Sequence, residues 1–208
     1  MNMERLNIKE LELNRVVGVL SHTVDKLGMP IDENVKEAVA ALNLLGIPTY
    51  GSCGGHISED NLSFPYIGGE APDEPEFRFL GEQELKMKIA DKYSIKQEEI
   101  FDDGEIEREY WNEIGNSEME ETEEFKAWNA GNTILKQRLS EMLDEFYTIN
   151  GGEKLFKIGK IFPGYRLDCV YNDDINENTG KEELKSKIID CQEQLQKFTE
   201  FLKNKYFG

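Results

Sequence analysis

The sequence predicts an α+β fold, a small and mostly antiparallel sheet with helices packed on one face. Three observations carry this. Apolar residues recur at helical spacing over residues 33–45, 123–147 and 181–205. The extended segments between them are short, and two pairs lie close enough in sequence to form antiparallel hairpins. Helices outnumber strands and no repeat is evident, so helices covering one side of a small sheet follow. The 208 residues suit a single domain spanning 1–208 with one elaborate insertion.

Taken in order, Leu13, Val17, Leu20, Val24 and Leu27 share one face of a helix over 9–27, which Gly28 and Pro30 end. The run Val16 to Leu20 also fits a strand. His22 lies off the apolar stripe and reads as a surface histidine. A second helix starts at Asp32, whose carboxylate suits an N-cap role, and buries Val35, Val39, Leu42 and Leu45. Gly46 at the left-handed position after its end, with Pro48 beyond, stops it. The chain then turns into a strand over 49–53. Residues 62–67 read as another strand, with Pro65 marking an edge or a bulge. Phe77, Phe79 and Leu80 fit a short strand or anchor, and 81–93 a helix. A helix follows at 123–147, with Gly131 as a break or kink. Residues 155–161 and 165–171 form a hairpin around Phe162-Pro163-Gly164, and 173–180 a loop. In its second strand Tyr165, Leu167, Cys169 and Tyr171 share one face, and Arg166, Asp168 and Val170 the other. The final helix carries Leu184, Ile188, Cys191, Leu195, Phe198 and Leu202 at four–three spacing, so Cys191 reads as a small core hydrophobe.

Residues 97–124 stand apart: thirteen acidic side chains face one base, Arg108. Such a segment repels itself, and it is predicted to be a peripheral acidic insertion with few core residues. Over the whole chain, 24 basic against 42 acidic residues leave a net charge of −18. That field disfavours nucleic acid and anionic membranes, whose binding rests on neutralising phosphates with Lys and Arg. The three cysteines have no framework spacing and one must be unpaired, so reduced thiols in a cytoplasmic protein are expected. The N-terminus lacks the apolar core of a signal peptide, and no apolar run of membrane-spanning length occurs.

The chemistry concentrates in Ile47-Pro48-Thr49-Tyr50-Gly51-Ser52-Cys53-Gly54-Gly55-His56. A helix with both ends punctuated feeds a short strand and then a glycine-rich turn bearing a thiol and an imidazole. Cys53 as nucleophile and His56 as base, with the amides of Gly54, Gly55 and His56 as oxyanion donors, would make an acyl-transfer or thiol-redox site. A ligand-binding loop without chemistry needs only Thr49, Ser52, Gly54, Gly55 and a cation such as Arg166. Cys53-x-x-His56 is also half a zinc site, to be completed by His22, Cys169 or Asp168; the sequence assigns no metal ligand. A glycine turn of this kind equally forms with no ligand at all.

Several segments carry a resemblance. Asp25-Lys26-x-Gly28-x-Pro30-Ile31-Asp32, Leu42-Asn43 and Gly46-Ile47-Pro48-Thr49-x-x-Ser52-Cys53-x-Gly55-His56 resemble a group of uncharacterised bacterial proteins with a Thr-x-x-Ser-Cys-x-Gly-His motif. Glu145-Phe146-Tyr147 and the stretch Phe198-Thr199-Glu200-Phe201-Leu202-Lys203 are similar to the same group, which implies no established activity. More locally, Ser52-Cys53-x-Gly55 is similar to a Ser-Ser-Cys-Ser-Gly-Arg loop of the methyltransferases of wybutosine synthesis on transfer RNA, with His56 in place of arginine. That resemblance implies a loop near a pocket, while the net charge argues against a transfer-RNA substrate.

The expected function is therefore a cytoplasmic protein with a small-molecule or peptide pocket at residues 52–56, using Cys53 and His56 in its chemistry. Whether it is an enzyme, and with which cofactor, is left open. A different class is an acidic interaction module docking a basic protein partner through 97–124, with Tyr110 and Trp111 as anchors. A third is a zinc-stabilised structural domain.

Overall fold

The computed structural model describes residues 3–24, 28–59, 61–159, 163–173 and 179–208. Leu27, the Asp25-Lys26 pair, the Lys160–Phe162 part of the hairpin turn and residues 174–178 of the predicted loop lie outside them. The fold is α+β. Its elements are α1 (Met3–Leu20), α2 (Glu33–Leu44), β1 (Gly51–Cys53), β2 (His56–Ile57), β3 (Leu62–Ser63), β4 (Tyr66–Gly69), α3 (Glu82–Tyr93), α4 (Gly104–Asn116), α5 (Glu123–Asn150), β5 (Phe156–Gly159), β6 (Tyr165–Cys169) and α6 (Lys181–Phe207). The chain divides into two compact units, residues 1–71 with 132–208, and residues 72–131.

The first unit is built on a four-stranded antiparallel sheet of order β1-β4-β6-β5, with β2 and β3 as a separate hairpin. Pro65 explains the division of the predicted 62–67 strand. Lacking an N–H, proline cannot continue the ladder, so β3 pairs with β2 before it and β4 pairs with β1 and β6 after it. The register sets Cys53 opposite Tyr66, Tyr66 opposite Asp168, and Asp168 opposite Lys157. Directly opposed residues share a face, so these four lie on one side. Ile67, Leu167, Tyr165, Cys169 and Phe156 lie on the other and are buried.

Helices cover that second face. α2 packs chiefly on α6 and on α1. Its burial extends beyond the predicted stripe: Ala38, Ala40 and Ala41 are buried with Val35, Val39 and Leu42. Small side chains all round let neighbours close on it from several directions. Each fully buried Leu, Ile or Phe, such as Leu42, Ile67 or Phe198, contributes about 2 kcal/mol. Gly46 takes the predicted left-handed conformation (φ 71°), and Arg138 donates to the carbonyls of Leu45 and Gly46 at the helix end.

Two differences from the expected helices have local causes. α1 stops at Leu20 rather than 27. Ser21 and Thr23 turn their hydroxyls onto the carbonyls of Val17 and Val19, competing with helix propagation. α5 runs unbroken through Gly131, because one glycine costs only about 1 kcal/mol and burial along the helix outweighs it.

The cysteine expectation is corrected. Cys169 of β6 and Cys191 of α6 form a disulfide, with Cα atoms 6.7 Å apart. Cys191 does lie on the buried stripe, but that stripe faces the buried side of β6, where Cys169 points. Cys53 is the free thiol.

In the second unit the acidic stretch does bury a face. Ile106, Tyr110 and Ile114 recur every four residues along α4 and join Ile100, Leu85, Ile89 and Ala90 in a core of their own. The acidic residues occupy the remaining surface, and Asp103 caps α4 by accepting from the amides of Glu105 and Ile106. Tyr110 is fully buried and donates to Glu82, so it is no surface anchor for a partner; Trp111 is 37% exposed. Glu82 also accepts from the amides of Arg78 and Phe79. Burial works against its charge, but those three donors outweigh it and hold its carboxyl below the usual range.

Candidate functional site

The site grows from the junction between α2 and β1. Thr49 is fixed first, its N–H donating to the Asn43 side chain at 3.0 Å. β1 then runs along the sheet edge, and the chain reverses at Gly54 and Gly55. Gly55 has φ of 80°, which only glycine adopts readily. At Gly54 a Cβ would fall 1.7 Å from Asn34 Oδ1, so no larger residue fits without displacing that side chain.

The N–H and carbonyl groups of Gly54 and Gly55 are engaged. Asn34 donates to the Gly54 carbonyl at 2.7 Å, and Gln192 of α6 donates to the carbonyls of Gly54 and Gly55 at 3.0 and 2.9 Å. The Gly54 N–H donates to Asp32 Oδ2 at 2.8 Å, and the Gly55 N–H faces Cys53 Sγ at 3.4 Å. This corrects the expectation that both amides stand ready for a ligand's oxyanion. They serve the carboxylate and the thiol instead.

Asp32 is the residue that sequence reasoning placed elsewhere. It is the N-cap of α2, yet its side chain makes no capping hydrogen bond. Its carboxylate lies 3.5 Å from His56 Nε2. Asp32, Cys53 and His56 each present a donor atom, and the three atoms lie within 4.8 Å of one another. Among the described residues no hydrogen bond joins the thiol to the imidazole; Ser63 Oγ lies 3.8 Å from Sγ.

The partners expected to complete a zinc site are all occupied elsewhere. Cys169 is in the disulfide, Asp168 accepts from Asn172 and pairs with Arg166, and His22 is exposed with Nδ1 against the Gly18 carbonyl. The third donor atom near Cys53 and His56 is that of Asp32. Its signal was hidden because a capping aspartate looks the same in sequence whichever group its carboxylate reaches. Gln192 and Asn34 carried no sequence signal at all.

A cavity of about 310 Å³ opens along β1, lined by Thr49, Gly51, Ser52, Tyr66, Val39 and Ile31 among others. Thr49 and Ser52 line it, whereas Cys53, Gly54, Gly55 and His56 do not. The two features are linked along the chain. Ile31 and Ser52 line the cavity, and the next residue of each segment, Asp32 and Cys53, belongs to the cluster. Arg166 lies on the Cys53 side of the sheet, its guanidinium 3.9 Å from the centre of the Tyr66 ring. Its Nε faces Asp168 at 3.4 Å, an ion pair whose geometry falls short of a hydrogen bond. Burial, then the charge of Glu70, raises the Tyr50 hydroxyl above its ordinary range.

The fold and the site define an α+β domain with a Cys/His/Asp cluster and a cavity along β1. Comparison with protein-family models, curated proteins and solved structures found no match.

Proposed function

We propose that the protein binds a small molecule in the cavity beside β1, with Cys53 and His56 supplying the functional groups at its edge. One observation carries this reading. A single segment, residues 49–56, contributes both the cavity wall and two members of the cluster. The cavity is of the size that small ligands fill, and its lining is largely apolar with a few placed polar groups. A fully extended peptide is a poorer fit to so compact a space. Thr49 is held by Asn43 and Gly54 by Asp32, so the wall is preorganised and little ordering would oppose binding.

A cytoplasmic setting is part of the same proposal. No helix among the described residues is long and apolar enough to cross a membrane. The Cys169–Cys191 disulfide marks an oxidising compartment as the competing location. Thiol trapping of the protein in intact cells decides between them.

The test of ligand binding is a small-molecule library screened by NMR chemical-shift perturbation. A Cβ at Gly51 meets open space, so Gly51→Leu should fold normally while obstructing the cavity. Saturable shifts at Thr49, Ser52 and Tyr66 that vanish in Gly51→Leu are expected. Binding unaffected by Gly51→Leu, or no saturable ligand, would overturn the reading.

A further inference from the structure

We propose that Asp32, Cys53 and His56 form a site for a divalent transition-metal ion with zinc's preferences, held by three protein donors with a fourth position open. The inference rests on reading residues 49–56 as the functional segment, and goes beyond it in naming the ligand of the cluster. A carboxylate oxygen, a thiolate sulfur and an imidazole nitrogen are the donor types zinc takes, and three protein donors plus an open position is the arrangement of its reactive sites.

The geometry supports convergence on one point rather than a proton relay. In a relay the imidazole bridges, one nitrogen facing the carboxylate and the other the thiol. Here one donor atom from each residue suffices to bring all three within 4.8 Å. Donors around a tetrahedral zinc ion with bonds of about 2.0–2.3 Å stand roughly 3.3–3.8 Å apart. Asp32 Oδ2 and His56 Nε2 already meet that spacing at 3.5 Å. The sulfur, which would stand about 3.5 Å from a nitrogen or oxygen donor on a tetrahedral ion, needs to close by at most about 1.3 Å to join them.

The surroundings are those of a supported ligand set. Metal-binding side chains are oriented by hydrogen bonds from behind, and here the Gly54 N–H holds Oδ2 while the Gly55 N–H faces Sγ. Asn34 and Gln192 hold the Gly54 carbonyl, which shares a peptide plane with the Gly55 N–H, so that amide cannot turn away from Sγ. The carboxylate and a thiolate side by side repel each other. Among the described residues no Lys or Arg pairs with Asp32 or Cys53, and a bound cation relieves that repulsion in a chain of net charge −18. Binding releases the thiol proton to solvent. His56 and Asp32 side chains are 42% and 31% exposed, so an ion and its remaining water have access.

The test uses the full chain after dialysis against a chelator, titrated with Co²⁺ and then Zn²⁺. Cys53 is the thiol outside the disulfide, so a cobalt–thiolate charge-transfer band reports this site. One equivalent of Co²⁺ should produce the band and one equivalent of Zn²⁺ should abolish it. Cys53→Ser should remove it, and Asp32→Asn and His56→Ala should each weaken binding by at least about tenfold, the loss seen even for merely supporting groups. In the unaltered protein, Zn²⁺ should protect Cys53 from alkylation, which needs no variant to fold. No band and no protection at millimolar metal would overturn the proposal, as would a band of full strength and affinity in both Asp32→Asn and His56→Ala. A metal bound with no ligand in the cavity removes only the small-molecule reading. A cavity ligand without metal removes only this one.

Discussion

Asp32 sits at the N-terminus of α2 but gives its carboxylate to the N–H of Gly54, 2.8 Å away and twenty-two residues further on. A side-chain cap on a helix is worth about 1 kcal/mol, and this helix forgoes it. What the carboxylate gains is a fixed position beside His56, with the charge still near the positive end of the α2 dipole. The turn at Gly54 and Gly55 is thereby tied to α2 through Asp32 and Asn34, and to α6 through Gln192.

That arrangement makes Gly54→Ala a sharp probe. The added Cβ would overlap the Asn34 side chain, and the backbone cannot yield without losing the bonds from Asn34 and Gln192. Gly54→Ala is expected to destabilise the protein by about 1–3 kcal/mol, the usual cost of overpacking. Asn34→Gly should recover part of this loss, giving a coupling of roughly 0.5 kcal/mol or more in a double-mutant cycle. Urea unfolding of the four proteins measures it. Additive losses would show that the clash is relieved some other way.

The disulfide yields a second expectation. Cys169 and Cys191 are separated by 22 residues, and closing a loop of that length in the unfolded chain is worth about 3 kcal/mol. The bridge joins β6 to the helix that carries Gln192 immediately after Cys191, so its loss should also loosen the clamp on Gly54 and Gly55. The variant carrying both Cys169→Ala and Cys191→Ala should unfold at lower urea, and amide exchange at Gly54 and Gly55 should accelerate more than at Ile67. Unchanged stability would show that the bridge constrains nothing the buried packing does not already hold.

The architecture was legible where local chemistry and packing agree. The ends of α2, the alternation of Tyr165, Leu167 and Cys169, and the stripe of α6 were readable because one periodicity decides each. Pro65 read as an edge or a bulge within one strand; that it instead separates two sheets depends on pairing with β1 and β6, which no local pattern encodes. The acidic segment misled because composition averages over the helix. Thirteen acidic residues hide a four-residue spacing of Ile106, Tyr110 and Ile114, and their burial needs Leu85 and Ile89 from α3. In the site, Cys53, His56, Thr49 and Ser52 stood out by residue type and neighbouring glycines. Asp32 and Gln192 reach it only through the tertiary fold, and the pairing of Cys169 with Cys191 likewise depends on α6 lying across β6.

Glu82 supplies a pH dependence confined to the second unit. Its carboxyl is buried, which favours the neutral form, but the Tyr110 hydroxyl and the amides of Phe79 and Arg78 all donate to it and bring its pKa below the ordinary value. A carboxyl with a lowered folded-state pKa binds its proton less readily folded than unfolded. Its contribution is therefore complete above the unfolded pKa, near 4.3 for glutamate, and fades as pH falls through the folded value. Glu82→Gln removes the charge and replaces one acceptor by a donor facing the same donors. It should cost about 1.5–3 kcal/mol at neutral pH, the range for hydrogen bonds to a charged group. Both tryptophans, Trp111 and Trp128, lie within residues 72–131, so their fluorescence follows this unit. Many other carboxylates titrate in the same window, so the informative quantity is the stability difference between wild type and Glu82→Gln, measured by urea unfolding from pH 7 down to about pH 3. That difference should hold steady above about pH 5 and shrink below it. A difference that stays constant to the lowest pH would mean that Glu82 acts through its shape and packing, not through its charge.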